Sequence, residues 1–269
     1  EMLRSLVGSE MCIRDSYYDD SILLKRLSLY PYVQLGVMVL FVLIVYFALI
    51  STKKAEQNKV WVGLSKETAH QLGTPISSLM AWMDLLESSG VDSSLLSDMN
   101  KDVNRLSVIA ERFSKIGSKP EMELIYVNEV LENATEYMRR RVSDKVLITT
   151  HLPSDAEGAM VCLSLFEWVI ENLCKNAVDA MNGEGRIDVY MTSEKQQIYI
   201  DIKDTGKGIA RKNFKTVFNP GYTTKKRGWG LGLTLAKRII EDYHAGRIYV
   251  KDSEVGKGTT FRIELKRVV

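Results

Sequence analysis

The chain has 269 residues, room for one large domain or two modest ones and too many for a disulfide-stapled mini-protein. Apolar residues make up 45% and charged residues 26%, which excludes a mainly disordered chain; 36 basic against 34 acidic side chains leave a net charge of +2, so there is no electrostatic case for a nucleic-acid partner. The three cysteines, Cys12, Cys162 and Cys174, lack CxxC spacing, so no disulfide framework or cysteine zinc site is expected and a reducing compartment fits.

Residues 1–30 show no sustained period over their first 20 positions, and no function is assigned to them; they read as the remnant of a longer extracytoplasmic region or as a foreign stretch. From Leu27 to Thr52 no residue is charged, and Leu35–Ile50 is unbroken apolar or weakly polar sequence. About 20 helical residues cross a hydrocarbon core of ~30 Å, so 31–52 is expected to be a transmembrane helix, with Tyr30, Tyr32 and Tyr46 as interfacial aromatics and Lys53 and Lys54 ending the run. The alternative is a buried core helix, but such helices rarely run this long without a polar face. Lys25 and Arg26 on one side, against Lys53, Lys54 and Lys59 on the other, tilt the orientation slightly toward a cytoplasmic C-terminal part, and hence toward a single-pass protein of the cytoplasmic membrane.

Beyond the span, apolar residues recur at three- and four-residue steps from Trp61 to Leu86, stop at Ser88-Ser89-Gly90, and resume from Leu95 to Ile116 before Gly117 and Pro120. Residues 53–118 are thus an αα-hairpin. One hairpin buries its stripe poorly, so pairing with a second copy into a four-helix bundle is expected, a homodimer; the alternative is a hairpin packed on its own C-terminal domain. His70 sits in the first helix among the small or polar residues Thr68, Ala69, Gln71 and Gly73, which suits an accessible imidazole. A lone helical histidine is more often structural, and Thr74 at i+4 offers no metal pair. Pro75 lacks a backbone donor, so a bend is expected there.

Residues 119–269 alternate strand and helix. Strands are expected at Glu123–Val127, Val146–His151, Arg186–Thr192, Gln196–Lys203, Arg247–Lys251 and Thr259–Leu265, and helices at Glu129–Arg141, Leu163–Met181 and Leu231–His244, giving an α+β sandwich with helices on one sheet face. Three constellations carry chemistry. Asn172 and Asn176, at i and i+4, present two amides that ligate a hard cation or bond phosphate. Asp204-Thr205-Gly206-Lys207-Gly208 follows a strand directly, a carboxylate able to accept from an amino group beside glycines that admit a planar ring. Gly228-Trp229-Gly230-Leu231-Gly232 runs into a helix, whose first amides favour an anion. Each has a plain reading as polar face, hairpin turn or mobile loop. Half of the 18 glycines fall within Asp204–Gly258, however, and no P-loop, dinucleotide GxGxxG or protein-kinase set occurs.

From roughly Lys53 to Val269, about four-fifths of the chain, the sequence resembles a bacterial sensor histidine kinase of two-component signalling. KETAHQLGTPISSL resembles the H-box, ENLCKNAVDAM the N-box, DTGKGI the G1 box, VFNPGYTTK the F-box, GWGLGL the G2 box and GKGTTF the final glycine box, together a Bergerat (GHKL) ATP-binding fold with a lid over about Asn219–Trp229. The resemblance implies His70 as phosphoacceptor for the γ-phosphate of ATP. It implies Asn172 and Asn176 as holders of Mg²⁺ and phosphates, and Asp204 as the reader of the adenine amino group, with Gly206 and Gly208 beside it. Phosphate contacts are implied for Gly228, Gly230, Leu231 and Gly232, with Thr224 and Thr259 from the flanking boxes; Lys175 and Lys225 either touch phosphate or are solvated charges. His151 and His244 are expected to be structural. The family usually has an acidic residue after the phosphoacceptor as general base; here that position is Gln71, so either the imidazole attacks in its neutral tautomer with little help or another carboxylate serves, Glu67, three residues before His70, being the candidate. Thr74 matches the position linked to dephosphorylating the partner, a response regulator whose aspartate receives the phosphoryl group. A hinge near Gly117–Pro120 is expected to let the two domains approach. Two other readings stay open: a GHKL ATPase acting as a conformational switch, and a non-catalytic membrane scaffold.

Overall fold

The computed structural model describes residues 22–89, 93–118, 120–225 and 230–268. The chain divides into two compact units, residues 1–60 and 61–269. In the first, the helix α1 (Ile22–Ser88, continuing into the second unit) contains a 25-residue stretch, Leu29–Lys53, long and apolar enough to cross a membrane, and all of its side chains are exposed. The helix α1 continues through Pro75, where the sequence predicts a bend. Side-chain hydroxyls add hydrogen bonds around the proline's missing donor: Thr74 Oγ1 donates to the His70 carbonyl at 3.3 Å, and Ser77 Oγ to that of Gly73 at 3.0 Å.

In the second unit, α1 pairs with α2 (Ser93–Gly117) around Ile76, Met83, Val103 and Ala110, with Leu72 against them. Five strands then form one sheet in the order β2 (Val146–His151), β4 (Gly185–Glu194), β5 (Gln197–Asp204), β7 (Gly258–Lys266), β6 (Arg247–Glu254); β2 and β4 are parallel and all other neighbours antiparallel. Period-two alternation puts Ile187, Val189, Met191, Ile198, Ile200, Ile202 and Ile263 on the face covered by α3 (Val127–Arg139), α4 (Leu163–Ala180) and α5 (Gly232–Arg238). The other face is polar: Arg262 pairs with Asp201 at 2.6 Å and stacks over Tyr199. A separate antiparallel pair, β1 (Glu123–Tyr126) and β3 (Gly158–Val161), was read only in its first half, since GAMV carries no alternation to announce a strand. The helix expected over Leu231–His244 is α5 followed by a π-helical turn, Ile239–Tyr243.

The end of α2 is built into the sheet-and-helix layer that follows it. Ile116 is fully buried in that core, and its carbonyl accepts from Tyr243 Oη at 2.6 Å. Arg112 makes two hydrogen bonds to Glu171 of α4, at 2.9 and 2.6 Å, and lies over Trp168, which Phe113 meets edge-on. The sequence reading separated the hairpin from the next domain at Gly117–Pro120. The two are in contact at this point, where Phe113 meets Trp168 of α4 and the Ile116 carbonyl meets Tyr243 of the π turn.

His244 closes that turn. Its Nε2 accepts the Cys162 N–H at 2.9 Å, its ring meets Phe166 edge-on, and burial holds its pKa down to about 4 from an ordinary 6.5. A folded ring that refuses a proton the unfolded chain accepts makes stability fall as pH drops from 6.5 toward 4. Urea unfolding of the full chain across that window is expected to show a loss of about 1–3 kcal/mol from this group, and His244→Gln to flatten the curve.

Candidate nucleotide site

The candidate cleft, as the motifs place it, begins where β5 ends. Asp204 is almost fully buried, and its Oδ1 accepts the backbone N–H of Gly206 at 2.8 Å and of Thr259 at 3.3 Å. Burial raises its pKa, and the two N–H donors pull the other way. The register of β5 against β7 sets Asp204 directly opposite Thr259, which brings the first and last glycine boxes together. Two glycines there are obligatory. Gly208 has φ +71 and Gly258 φ +120, and a Cβ on either would lie 2.1 Å from the Glu254 carbonyl oxygen or 2.0 Å from that of Asp204. Gly206 is likewise closed in by Ala180 of α4.

α4 forms the second wall. Its inward face carries Phe166, Ile170 and Leu173, all fully buried, and this fixes the roll that turns Asn172 and Asn176 toward the cleft. Gly232 lies so close to Asn172 that a Cβ would meet its Oδ1 at 2.5 Å. Gly221 N–H donates to the Gly230 carbonyl at 3.1 Å, tying the two ends of the lid segment, and Leu231 caps α5. Lys207 Nζ donates to Thr224 Oγ1 at 2.8 Å, and Lys225 Nζ to Asn176 Oδ1 at 2.9 Å. Lys175 is exposed on α4, and Gly228 lies outside the described residues.

On α1, His70 is exposed, and Gln71 Nε2 donates to Glu67 Oε1 at 2.7 Å. Glu67, His70, Gln71 and Thr74 thus share one stretch of helix surface. Among the described residues, no hydrogen bond or ion pair links that stretch to the cleft of Asn172 and Asp204.

The donor set suits a nucleotide carrying a hard cation. Asn172 and Asn176 supply amide oxygens. Among the described residues no group of three or more His, Cys, Asp or Glu forms a metal cage, so a divalent ion would complete its shell with oxygens from water or phosphate. Residues 161–269 match the family described as histidine kinase-, DNA gyrase B-, and HSP90-like ATPase. That span is therefore an ATPase domain of this type, and over about four-fifths of its length the chain is similar to proteins named sporulation kinases and sensor histidine kinases.

The resemblance seen in the motifs is therefore borne out. Sporulation kinase A of Bacillus subtilis is 26% identical over 80% of this chain and 36% of its own length, and sensor histidine kinase ZraS of Salmonella typhimurium is 26% identical over 81% and 48%. This chain thus spans about half or less of the length of the curated relatives it matches. The same fold occurs in full-length ShkA crystallised with AMPPNP (TM-score 0.58, 19% identity, 76% of this chain and 46% of that one). It occurs again in histidine kinase ThkA in complex with response regulator protein TrrA (TM-score 0.53, 18% identity, 80% and 64%).

Sequence reasoning missed Asp179, Lys207 and Glu171. Asp179 stands three residues after Asn176, a helical step that would have found it; Lys207 and Glu171 gain their significance only from partners distant in sequence. Because the folded pKa of Asp204 is raised, its ionised form costs stability at neutral pH, and that cost disappears as pH falls through the carboxylate range. Asp204→Asn keeps the accepting oxygen. It is expected to leave the melting temperature at pH 7 unchanged or higher while weakening ADP binding, read by calorimetry, at least about tenfold.

Proposed function

We propose that this chain is the membrane-anchored core of a homodimeric sensor kinase that phosphorylates His70 from ATP and hands the phosphoryl group to an aspartate of a response regulator. The observation that carries this reading is the coexistence, in one chain, of an exposed imidazole beside a held carboxylate and a buried Asp204 set among close-packed glycines. In that cleft Asp204 receives the adenine amino group and its two glycines admit the ring. Asn172 and Asn176 hold magnesium, which neutralises phosphate charge when bound. Gly230, Leu231 and Gly232 bring backbone to the phosphates, with Thr224 and Thr259 at the flanks.

As a ring nitrogen of His70 bonds to the γ-phosphorus, the bond to the ADP oxygen breaks, and the proton the imidazole sheds passes to Glu67. Gln71 cannot accept a proton, but its amide holds the Glu67 carboxylate one turn from the imidazole, a positioning role where an acidic residue is usual. Leu79, Met99, Leu106 and Ile109 remain exposed on the hairpin, an apolar surface that a second copy would cover. The exposed stretch Leu29–Lys53 supports one span of the cytoplasmic membrane, with the kinase domains inside the cell.

Incubating the full chain with γ-labelled ATP tests this. The expected product is an acid-labile, base-stable label, absent in His70→Gln and reduced at least about tenfold in Glu67→Gln with ADP binding intact. A label that survives His70→Gln, or none from wild type that binds ATP, refutes the phosphohistidine reading. For Thr74 the expected role is orienting water toward the phosphorylated regulator. Thr74→Ala should then slow dephosphorylation of a cognate phospho-receiver by about tenfold or more without lowering the label on His70; full phosphatase activity in that variant contradicts the assignment.

A further inference from the structure

The polar face of α4 carries one more group than the nucleotide motif requires. Asn172, Asn176 and Asp179 succeed one another at steps of four and three, so they line a single ridge along the cleft. The Lys225 ammonium bonds to two of them, Asn176 Oδ1 at 2.9 Å and the Asp179 carboxylate, across 49 and 46 residues of sequence. Both acceptors are hard oxygens, the donors that magnesium also takes. The lysine head is a compact point charge, so it satisfies them as a monovalent stand-in. Asp179 also places a negative charge beside the ground where phosphates are to lie, and repulsion there has to be neutralised by some cation in every state of the cleft.

We propose that Lys225 is the resident cation of this cleft when no nucleotide is bound, held by Asn176 and Asp179, and that a magnesium–nucleotide complex enters by exchanging its metal for the ammonium. The inference rests on reading the cleft as an ATP site, and adds Asp179 to it as a positioning residue. Its consequence is a cation check. A nucleotide arriving without metal draws Lys225 toward its phosphates and leaves Asp179 uncompensated. A metal-loaded nucleotide replaces one cation by another, and the freed ammonium then faces the phosphates. Both side chains are about two-fifths exposed, so the exchange takes place at the surface and stays reversible.

The test uses the full chain in detergent micelles, with Mn²⁺ as probe followed by paramagnetic resonance in the absence of nucleotide, and ADP binding followed by calorimetry with and without Mg²⁺. Removing the competing ammonium in Lys225→Met is expected to tighten nucleotide-free Mn²⁺ binding at least about threefold, and Asp179→Asn to weaken it by a similar factor. Lys225→Met is also expected to lower metal-free ADP affinity at least about fivefold more than Mg²⁺–ADP affinity, with Lys225→Arg close to wild type. Mn²⁺ affinity unmoved by either variant, or equal loss of ADP affinity with and without metal, overturns the exchange while leaving the ATP site standing. Failure of the wild type to bind Mg²⁺–ADP at all removes the nucleotide reading itself.

Discussion

One helix has to satisfy three neighbours at once. α4 buries Leu165, Phe166, Ile170 and Leu173 against the sheet, and that burial fixes its rotation about its own axis. Everything else it carries follows from the angle so imposed. Asn172, Asn176 and Asp179 come to the cleft, while Trp168 and Glu171 meet the end of α2. A change of roll large enough to free one of these faces would expose the aromatic and aliphatic residues on the first, so the hydrophobic face holds the chemistry in register. Gly232, pressed against Asn172, leaves no room for the amide to swing.

The same geometry makes neighbours of the nucleotide cleft and the hairpin. Glu171, bonded to Arg112, is adjacent in sequence to Asn172. The hairpin and the ATPase layer are therefore joined through the turn of helix that carries the first asparagine, and by Tyr243 at the other end of the seam.

Much of this fold was legible because its strands alternate strictly and its helices are bounded by glycine and proline; Val146–His151 matches residue for residue. What escaped did so for physical reasons. β3 is four residues without a pattern, held by its ladder with β1. The π turn at Ile239–Tyr243 keeps the same apolar spacing as an α-helix and differs only in which carbonyl each N–H finds. The docking of Phe113 and Ile116 looked like the tail of a hairpin stripe, since a stripe does not say what covers it. The site followed the same rule. Asp204 and the glycines could be read as a local run, and the registers of β5 with β7 joined them to Thr259. The pairs Lys207–Thr224, Lys225–Asp179 and Arg112–Glu171 depend on tertiary approach, which no local pattern encodes.

Pro75 has one more effect on α1. Without its N–H, the Gln71 carbonyl loses its partner in the helical ladder, and the hydroxyls of Thr74 and Ser77 crowd onto the carbonyls of His70 and Gly73. Gly73, with no side chain, adds conformational freedom at the same spot. The ladder of α1 is thus one rung short within about one turn of the imidazole, and bending there costs less than it would in an unbroken ladder.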